Sequence, residues 1–200
     1  DKLAAGVYTA SAGNMAQGVA WNARHVGVPC EVLVPENAPA TKLAAIERLG
    51  LDGNSLLVEI ASNDGYLLRH ALARGIPCVG IEPTQGTANV AISHGVDTLV
   101  EFFGEHCAHA FVAARRRADL IVANNVLAHV PDINDFVAGF AALLTERGSV
   151  TVEFPHLLEL VSNHQFDTVY HEHFSYLSFH TARRIFAAHG LRVWDVETLP

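Results

Sequence analysis

Short apolar segments alternate with helix-like segments along nearly the whole chain, and this order constrains the fold more than any other feature. Runs such as "SLLVEIA", "CVGIEP" and "ADLIVANNV" are short, apolar and rich in β-branched residues, and each is followed by a segment with helical character. Strands that alternate with helices form βαβ units, in which the strands are parallel. The sequence therefore predicts an α/β fold with a Rossmann-like, doubly wound and mostly parallel sheet.

Composition divides the chain between Gly50 and Leu51. Both lysines precede this point, whereas eleven of the twelve histidines follow it. Residues 1–50 hold four basic and four acidic side chains, so the net charge of −8 belongs entirely to residues 51–200. We predict two domains: a βαβα fragment at residues 1–50 and a larger α/β core at residues 51–200.

The charge and the cysteines exclude several classes of partner. An acidic chain is repelled by a phosphate backbone, so we expect no nucleic-acid partner. The apolar runs are too short to span a membrane, and no membrane partner is expected. Cys30, Cys78 and Cys107 are isolated, which predicts no metal site and a reducing, cytoplasmic location. The first residues, which lack an initiator Met, indicate an excised piece.

The stretch "TASAGNMAQG" (Thr9–Gly18) joins a predicted strand to a predicted helix. Ser11, Gly13 and Asn14 place small polar groups at a helix N-terminus, which suits a carboxylate or another anion. Together with "PATKLAAIERLG", this stretch resembles the threonine/serine dehydratases among fold-type-II pyridoxal-phosphate enzymes. The resemblance covers residues 1–50 and implies that the loop holds the substrate carboxylate.

The dehydratase chemistry requires a Schiff-base lysine upstream of this loop and a glycine-rich phosphate loop downstream. Lys2 lies too near the loop and Lys42 lies on the wrong segment, so neither lysine meets this requirement. We therefore expect no pyridoxal-phosphate enzyme here. The alternative interpretation of Thr9–Gly18 is a capped helix start without a ligand.

A second nucleotide-type loop, "VEIASNDG", ends the strand after residue 50. About 20 residues later the next strand ends in Glu82, where a carboxylate can accept hydrogen bonds from two ribose hydroxyls. The loop has no G-x-G-x-x-G pattern to hold a pyrophosphate. The spacing favours S-adenosylmethionine, although NAD enzymes share it.

The segments "SNDGYLL", "NNVLAHV", "QFDTVYHEHFSY" and "HGLRV" occur in this order beyond the loop. Together they resemble the class I S-adenosylmethionine-dependent methyltransferases, and more narrowly the C-methyltransferases of nucleotide-linked keto-deoxysugars. The resemblance runs from Leu57 to Pro200. It implies a small-molecule substrate and an enzyme that transfers a methyl group from S-adenosylmethionine.

The resemblance assigns a role to each matching residue. Glu82 would bind the ribose diol, Pro83 and the two phenylalanines would flank the adenine, and the others would line the methionine and ribose. The implied cofactor-binding set is Glu59, Ala61, Asn63, Gly65, Glu82, Pro83, Phe102, Phe103, Asn124 and Asn125. The implied catalytic set is His173, Glu172, Tyr170 and His129.

The chemistry of C-methylation next to a ketone explains the catalytic set. A base removes the proton on the neighbouring carbon, and a histidine has a pKa suited to this task. Glu172 would orient the His173 imidazole, while Tyr170 and His129 would donate hydrogen bonds to the developing oxyanion. Taken alone, His129 would be an ordinary loop histidine. Four further aromatic residues are expected in the core rather than at the substrate: Phe154, Phe166, Phe174 and Phe186.

Two departures from the sugar C-methyltransferases stand out. That family carries a cysteine-rich zinc module before the core and continues into a second domain after it, whereas this sequence opens with the dehydratase-like residues 1–50. We expect an apparent chimera. Two alternatives stay open beside a C-methyltransferase: a fragment of a pyridoxal-phosphate ammonia-lyase, and a non-catalytic S-adenosylmethionine-binding domain.

Overall fold

The computed structural model describes residues 7–10, 30–33 and 48–198, which belong to two compact units, Asp1–Arg48 and Leu49–Pro200. In the first unit, strands β1 (Val7–Ala10) and β2 (Cys30–Leu33) pair in parallel. The residues singled out for an anion or a Schiff base lie outside the described residues: Lys2, Ser11, Gly13, Asn14 and Lys42.

The second unit alternates strands and helices in the predicted order. Its strands are β3 (Leu57–Ile60), β4 (Cys78–Ile81), β5 (Thr98–Leu99), β6 (Ala118–Asn124) and β7 (Leu144–Glu153). Its helices are α1 (Tyr66–Ala73), α2 (Gln85–Ser93), α3 (Glu105–Ala114), α4 (Ile133–Leu143), α5 (Leu157–Ser162) and α6 (Phe179–Ala188). Two single 3-10 turns, Leu127–His129 and Phe166–Thr168, lie between them.

The five strands of this unit form one sheet in the order β5-β4-β3-β6-β7, and every pair is parallel. The chain runs outward from β3 in one direction and then in the other, so the loops after β3 and β6 diverge. In open sheets of this kind a ligand binds at the carboxyl ends of the strands, beside the point where the strand order reverses.

Helices cover both faces of the sheet. On one face, Val58 and Ile60 pack in a core with Phe111 of α3 and with Phe136 and Phe140 of α4. On the other face, α1 presses against β4. There, a Cβ on Gly80 would lie 3.3 Å from the Leu68 Cδ1 atom. This arrangement confirms the predicted Rossmann-like, doubly wound fold.

Two predicted elements differ from the structure. The helical pattern of "INDFVAGFAALLTERG" predicts a helix that includes "TERG", but α4 ends at Leu143 and these residues belong to β7. Arg117 donates hydrogen bonds to the carbonyls of Ala142 and Leu144, which caps the helix there. The alternating pattern of "LRVWDVE" predicts a final strand. This prediction is wrong, because among residues 48–198 no strand pairs with this segment.

The two described thiols of the second unit are buried. Cys78 donates a hydrogen bond to the Leu68 carbonyl at 3.6 Å. Burial raises the pKa of Cys78 to about 11, and burial also raises the pKa of Cys107 to about 11. Both residues are free thiols, so neither is held in a disulfide. In the described parts of the chain, no helix combines the length and apolarity needed to cross a membrane.

Candidate active site

The loop after β3 has an unusual backbone. Ala61 and Asn63 adopt left-handed conformations with φ of 54° and 51°, and Gly65 follows with 74°. Left-handed backbone is costly for residues with a side chain and persists where surrounding contacts hold it. Here the Asn63 Nδ2 donates to the Ala61 carbonyl at 2.8 Å, which fixes the turn.

Glu82 joins this loop to the next strand. Its side chain is buried, and its Oε2 accepts a hydrogen bond from the Asn63 backbone N–H at 3.1 Å. Its Oε1 accepts from the Thr84 N–H at 2.9 Å. A carboxylate has about four lone-pair positions, so each oxygen keeps one for another donor. The contacts hold the carboxylate in place and leave it able to accept two hydroxyls.

Gly65 ends this loop and has close neighbours inside the protein. A Cβ at this position would lie 2.9 Å from the Val96 Cγ2 and 3.1 Å from the Ala91 Cβ. Its N–H donates to the Ser62 carbonyl at 3.0 Å. Gly65 therefore packs α1 against the protein interior and completes the turn, and its N–H is already used rather than offered to a ligand.

The strand tips next to the loop carry buried polar side-chain atoms that have no hydrogen-bond partner. Asn124 ends β6, which pairs directly with β3. Within the described residues, the Asn124 Nδ2, the Asn63 Oδ1 and the Ser62 Oγ are buried without a hydrogen-bond partner. Buried polar atoms of this kind are rare in folded proteins. One donor, one acceptor and one hydroxyl thus remain available at the carboxyl ends of two adjacent strands.

The two phenylalanines after β5 separate in the structure. The Phe102 side chain is 79% exposed. The Phe103 ring instead packs on Phe136 and Phe140 of α4, with ring centroids 5.4 and 5.6 Å apart. Of this predicted adenine-flanking pair, Phe102 is the ring that is free to contact a ligand, because Phe103 is held by the core.

Histidine and tyrosine side chains form a second group, which we call the histidine cluster: His129, Tyr170 and His173. The His173 ring lies 4.6 Å from the His129 ring and 4.3 Å from the Tyr170 ring, measured between centroids. The 3-10 turn Leu127–His129 meets the later segment where the Ala128 carbonyl accepts from the Phe174 N–H at 2.8 Å. Three of the four predicted catalytic side chains are thus in contact.

The fourth, Glu172, is exposed and does not orient His173. The His173 Nδ1 lies 2.8 Å from the Thr168 carbonyl. A carbonyl can only accept, so Nδ1 carries the proton and the neutral ring keeps its lone pair on Nε2. Thr168 therefore performs the orienting role that was predicted for Glu172.

Electrostatics favour the neutral forms of two cluster residues, His129 and Tyr170. Burial lowers the pKa of His129, and neighbouring His173 lowers it further, while a hydrogen bond with the Glu172 backbone opposes this. Burial, with the charge of Glu172, raises the pKa of Tyr170. At neutral pH the Tyr170 phenol therefore keeps its proton and can donate a hydrogen bond.

The four further aromatic residues fall into two pairs. Phe154 and Phe186 pack against the core as predicted. The prediction is wrong for Phe166 and Phe174, which are exposed on either side of the histidine cluster in the sequence. Their segment consists of a 3-10 turn and loops, which provide no helix or sheet face to bury them.

Among the residues that the structure describes, no group of three or more acidic, cysteine or histidine side chains could hold a metal.

The domain thus combines a Rossmann-like fold with a polar loop at the strand ends and a histidine cluster beside it. The family model for methyltransferase domains matches residues 36–196, so the chain belongs to the methyltransferase domain family. The chain is 40% identical to the C-methyltransferase NovU of Streptomyces niveus over 153 residues, which is 76% of this chain and 36% of that protein.

Two further similarities concern the fold and the N-terminal unit. A SAM-dependent methyltransferase from Archaeoglobus fulgidus superposes with a TM-score of 0.59 at 13% identity, over 76% of this chain and 69% of that one. The L-threonine ammonia-lyase of Geobacter sulfurreducens is 50% identical over 52 residues, 26% of this chain and 13% of that protein. The predicted class of enzyme, its S-adenosylmethionine cofactor and the partial dehydratase resemblance are confirmed.

The residues present fit S-adenosylmethionine. The ribose needs an acceptor for two hydroxyls, and Glu82 has two unused lone pairs in a buried, fixed carboxylate. The methionine end carries an ammonium and a carboxylate, and the unpartnered Asn63 Oδ1 and Asn124 Nδ2 offer one acceptor and one donor. The structure thus provides complementary groups at both ends of the cofactor.

Sequence reasoning missed two residues of the site. One is Thr168, which acts through its backbone carbonyl and so leaves no residue-type signal. The other is Glu153, the last residue of β7, whose Oε1 accepts from the Asn125 Nδ2 at 2.7 Å. Its position at a strand end, like that of Glu82, is a signal that could have found it.

Proposed function

We propose that this chain carries the catalytic core of an S-adenosylmethionine-dependent C-methyltransferase that acts on a nucleotide-linked keto-deoxysugar. The chain spans 36% of the length of NovU, so the activity of the whole protein belongs to this proposal. Support for C-methylation comes from that similarity and from the histidine cluster. The observation that carries the proposal is the hydrogen bond between the His173 Nδ1 and the Thr168 carbonyl.

His173 is the general base in this proposal. Its Nε2 takes the proton from the carbon next to the ketone, and the electron pair of the broken C–H bond moves onto the ketone oxygen. A bonded Nδ1–H fixes the tautomer that leaves Nε2 free, so the ring is ready for this step. When the proton has moved, the imidazolium remains hydrogen-bonded to Thr168.

Tyr170 and His129 stabilise the oxyanion. The raised pKa of Tyr170 keeps its O–H as a donor, and the lowered pKa of His129 keeps that ring neutral beside the His173 imidazolium. Two cationic rings 4.6 Å apart would repel, so a neutral His129 favours proton uptake by His173. Bound S-adenosylmethionine supplies an electrophilic methyl group to the carbon that has lost its proton.

The proposal is tested by exchange of the substrate α-hydrogen with deuterated solvent, which reports proton removal without methyl transfer. His173→Ala should lower the exchange rate by roughly 10²–10⁴-fold, because that is the usual contribution of a positioned base. Binding of S-adenosylmethionine, measured by calorimetry, should stay within about twofold of the parent. His171→Ala is the matched control, since His171 is exposed two positions away and should exchange at the parent rate.

The outcomes separate the competing interpretations. Equal exchange in His173→Ala and the parent assigns the base to another residue, with His129 the next candidate. Binding of S-adenosylmethionine without exchange in the parent, tested with several keto-sugar nucleotides, supports a non-catalytic binding domain. Ammonia release from threonine that disappears in Lys2→Ala or Lys42→Ala supports a lyase fragment and contradicts the proposal.

The kind of substrate, the cellular location and the fused origin of the chain are part of the proposal. A nucleotide-linked sugar is a small-molecule substrate, and isolated free thiols suit the reducing cytoplasm. The partial match to the ammonia-lyase supports a fusion of two unrelated coding segments. Sequencing of the gene on both sides of this segment would test the fusion.

A further inference from the structure

We infer that Glu153 is a positioning residue for the histidine cluster, holding both histidines through its hydrogen bonds to Asn125. Its catalytic meaning rests on the proposed function, although the positioning itself does not. Glu153 is half-buried at the end of β7 and stands opposite Asn124 in the pairing of β7 with β6. It therefore lies at the carboxyl edge of the sheet, next to Asn124, which is predicted to bind the methyl donor.

Two hydrogen bonds join Glu153 to Asn125. The Asn125 N–H donates to the Glu153 carbonyl at 2.9 Å, and the Asn125 Nδ2 donates to the Glu153 Oε1 at 2.7 Å. Asn125 has a left-handed φ of 51°, which asparagine tolerates better than most residues but which still needs support. The paired bonds supply that support at the residue where the chain leaves β6.

The direction that Asn125 gives to the chain decides where His129 lies. The 3-10 turn begins two residues later, and the His129 N–H donates to the Val126 carbonyl at 2.9 Å. The turn is only three residues long, so a rotation of the backbone at Asn125 moves the His129 ring. The link from Glu153 to His129 is therefore mechanical and passes through four residues of chain.

The same turn holds the segment that carries His173. The Ala128 carbonyl accepts from the Phe174 N–H at 2.8 Å and from the Ser175 N–H at 3.3 Å. A displaced turn therefore displaces both rings that lie 4.6 Å apart, and Glu153 is the side chain that fixes the start of that turn.

The first test reads the histidine rings in the substrate-free chain. The ring of His173 lies 4.3 Å from the ring of Tyr170, so its Cε1–H signal carries a ring-current displacement in an NMR spectrum. The signals are assigned from His129→Gln and His173→Gln. Glu153→Ala should change the chemical shifts of both histidine signals and should remove most of the ring-current shift of His173. Unchanged signals in Glu153→Ala overturn the inference, whatever the chain catalyses.

A matched control removes a carboxylate of the same kind from another place. Glu159 of α5 accepts a hydrogen bond from the Asn163 Nδ2 at 3.1 Å, so it forms a second Asn–Glu pair, in an exposed position away from the histidine cluster. Glu159→Ala should leave both histidine signals in place. Equal shifts in Glu159→Ala and Glu153→Ala would mean a general loosening of the fold, and this too overturns the inference.

A donor–acceptor exchange tests the hydrogen bond itself. Glu153→Gln keeps an oxygen that accepts from Asn125, so it should resemble the parent. Asn125→Asp brings two carboxylates together although aspartate tolerates the same backbone, and it should shift the signals strongly. The double variant Asn125→Asp/Glu153→Gln restores one donor and one acceptor in reverse, and it should return the signals. Failure of the double variant to recover overturns the inference.

Activity then separates this inference from the proposed function. A displacement of about 1 Å can cost about 100-fold in rate, so Glu153→Ala should lower α-hydrogen exchange by about 10- to 100-fold. Its affinity for S-adenosylmethionine should change by less than about threefold. If Glu153→Ala shifts the histidine signals but the parent itself shows no exchange, the positioning is upheld and the proposed function is contradicted. Shifted signals with a full exchange rate contradict the positioning role in catalysis.

Discussion

The two halves of the candidate site lie on different kinds of secondary structure. The side predicted to bind the methyl donor, here called the donor side, is formed by residues 59–65, Glu82 and Asn124. It is anchored on strands of the sheet, where the buried Glu82 carboxylate accepts hydrogen bonds from the N–H groups of Asn63 and Thr84. The histidine cluster is carried by 3-10 turns and loops, with exposed Phe166 and Phe174 nearby. The sheet fixes the first half directly, whereas the second half depends on a few bonds between loops.

This difference separates two kinds of specificity. A donor side fixed by the sheet suits a cofactor that is the same in every reaction of the class. A cluster held by a carbonyl of Ala128 and a carbonyl of Thr168 can change its position with few substitutions. Substitutions on the donor side should therefore change stability and cofactor affinity, and substitutions in the cluster should change the rate.

The largest expected effect outside catalysis is at the phenylalanine pair after β5, which was predicted to flank the adenine. Phe103→Ala should lower the free energy of unfolding, toward the low end of the roughly 3–5 kcal/mol for buried phenylalanine, because its ring packs on two core rings. Phe102→Ala should change it by less than about 0.5 kcal/mol, because that ring is exposed. Urea denaturation of both variants measures the contrast. Equal losses would show that the pair is not divided between core and surface.

Glu82→Ala sharpens the assignment of the ribose acceptor. A hydrogen bond to a charged group contributes roughly 1.5–3 kcal/mol, so the affinity for S-adenosylmethionine should fall about tenfold or more. Calorimetry gives the dissociation constant. Glu101→Ala, at an exposed carboxylate nearby in sequence, is the control and should bind like the parent. Identical affinities in all three proteins would remove Glu82 from the site.

Gly80→Ala tests how tightly the loop packs on β4. An added Cβ would lie 2.3 Å from the Ser62 Oγ and 2.9 Å from its Cβ, so one of them must move. Overpacking of this kind costs about 1–3 kcal/mol in the free energy of unfolding. Ser62→Gly in the same chain should recover part of the loss, and a double-mutant cycle measures the coupling. Strict additivity would show that the two residues do not meet.

The smallest expected effect is a pH dependence from the histidine cluster. The folded chain disfavours protonated His129, so its pKa lies below the ordinary value of 6.5. As the pH falls below about 6.5, the unfolded chain takes up a proton that folded His129 resists, and the free energy of unfolding decreases. His129→Gln should lose less stability than the parent between about pH 7 and pH 5. Exposed His180→Gln is the control, and an equal decrease in all three proteins would place His129 in solvent.

The sequence predicts from spacing that the loop after β3 meets Glu82, whereas spacing does not predict the contacts of the histidine cluster, and the reason is physical. Strand periodicity places the loop after β3 and Glu82 at neighbouring strand ends, so spacing alone brings them together. The cluster joins residues about forty positions apart through loop contacts, which no periodicity describes. His129, Tyr170 and His173 were found by resemblance, and the partner of His173 was assigned to the wrong group.

The errors share a cause, because each depends on a partner that residue type does not show. The Thr168 carbonyl replaces Glu172 because any residue has a carbonyl. The alternating pattern of "LRVWDVE" indicates a strand, yet a strand also needs a neighbour in the sheet. The domain boundary at Gly50–Leu51 stays a prediction.

The two buried thiols have a use as reporters of motion. The thiolate form of cysteine reacts with alkylating reagents. Thiols with a pKa of about 11 inside the protein therefore react slowly, because they are protonated and because they are buried. Cys78 sits on β4, at the strand that carries Glu82, and Cys107 sits on α3, on the other side of the sheet from α1. The labelling rate of each thiol therefore measures how often its own layer opens. Slower labelling of Cys78 in the presence of a ligand would record, residue by residue, which layer that ligand closes.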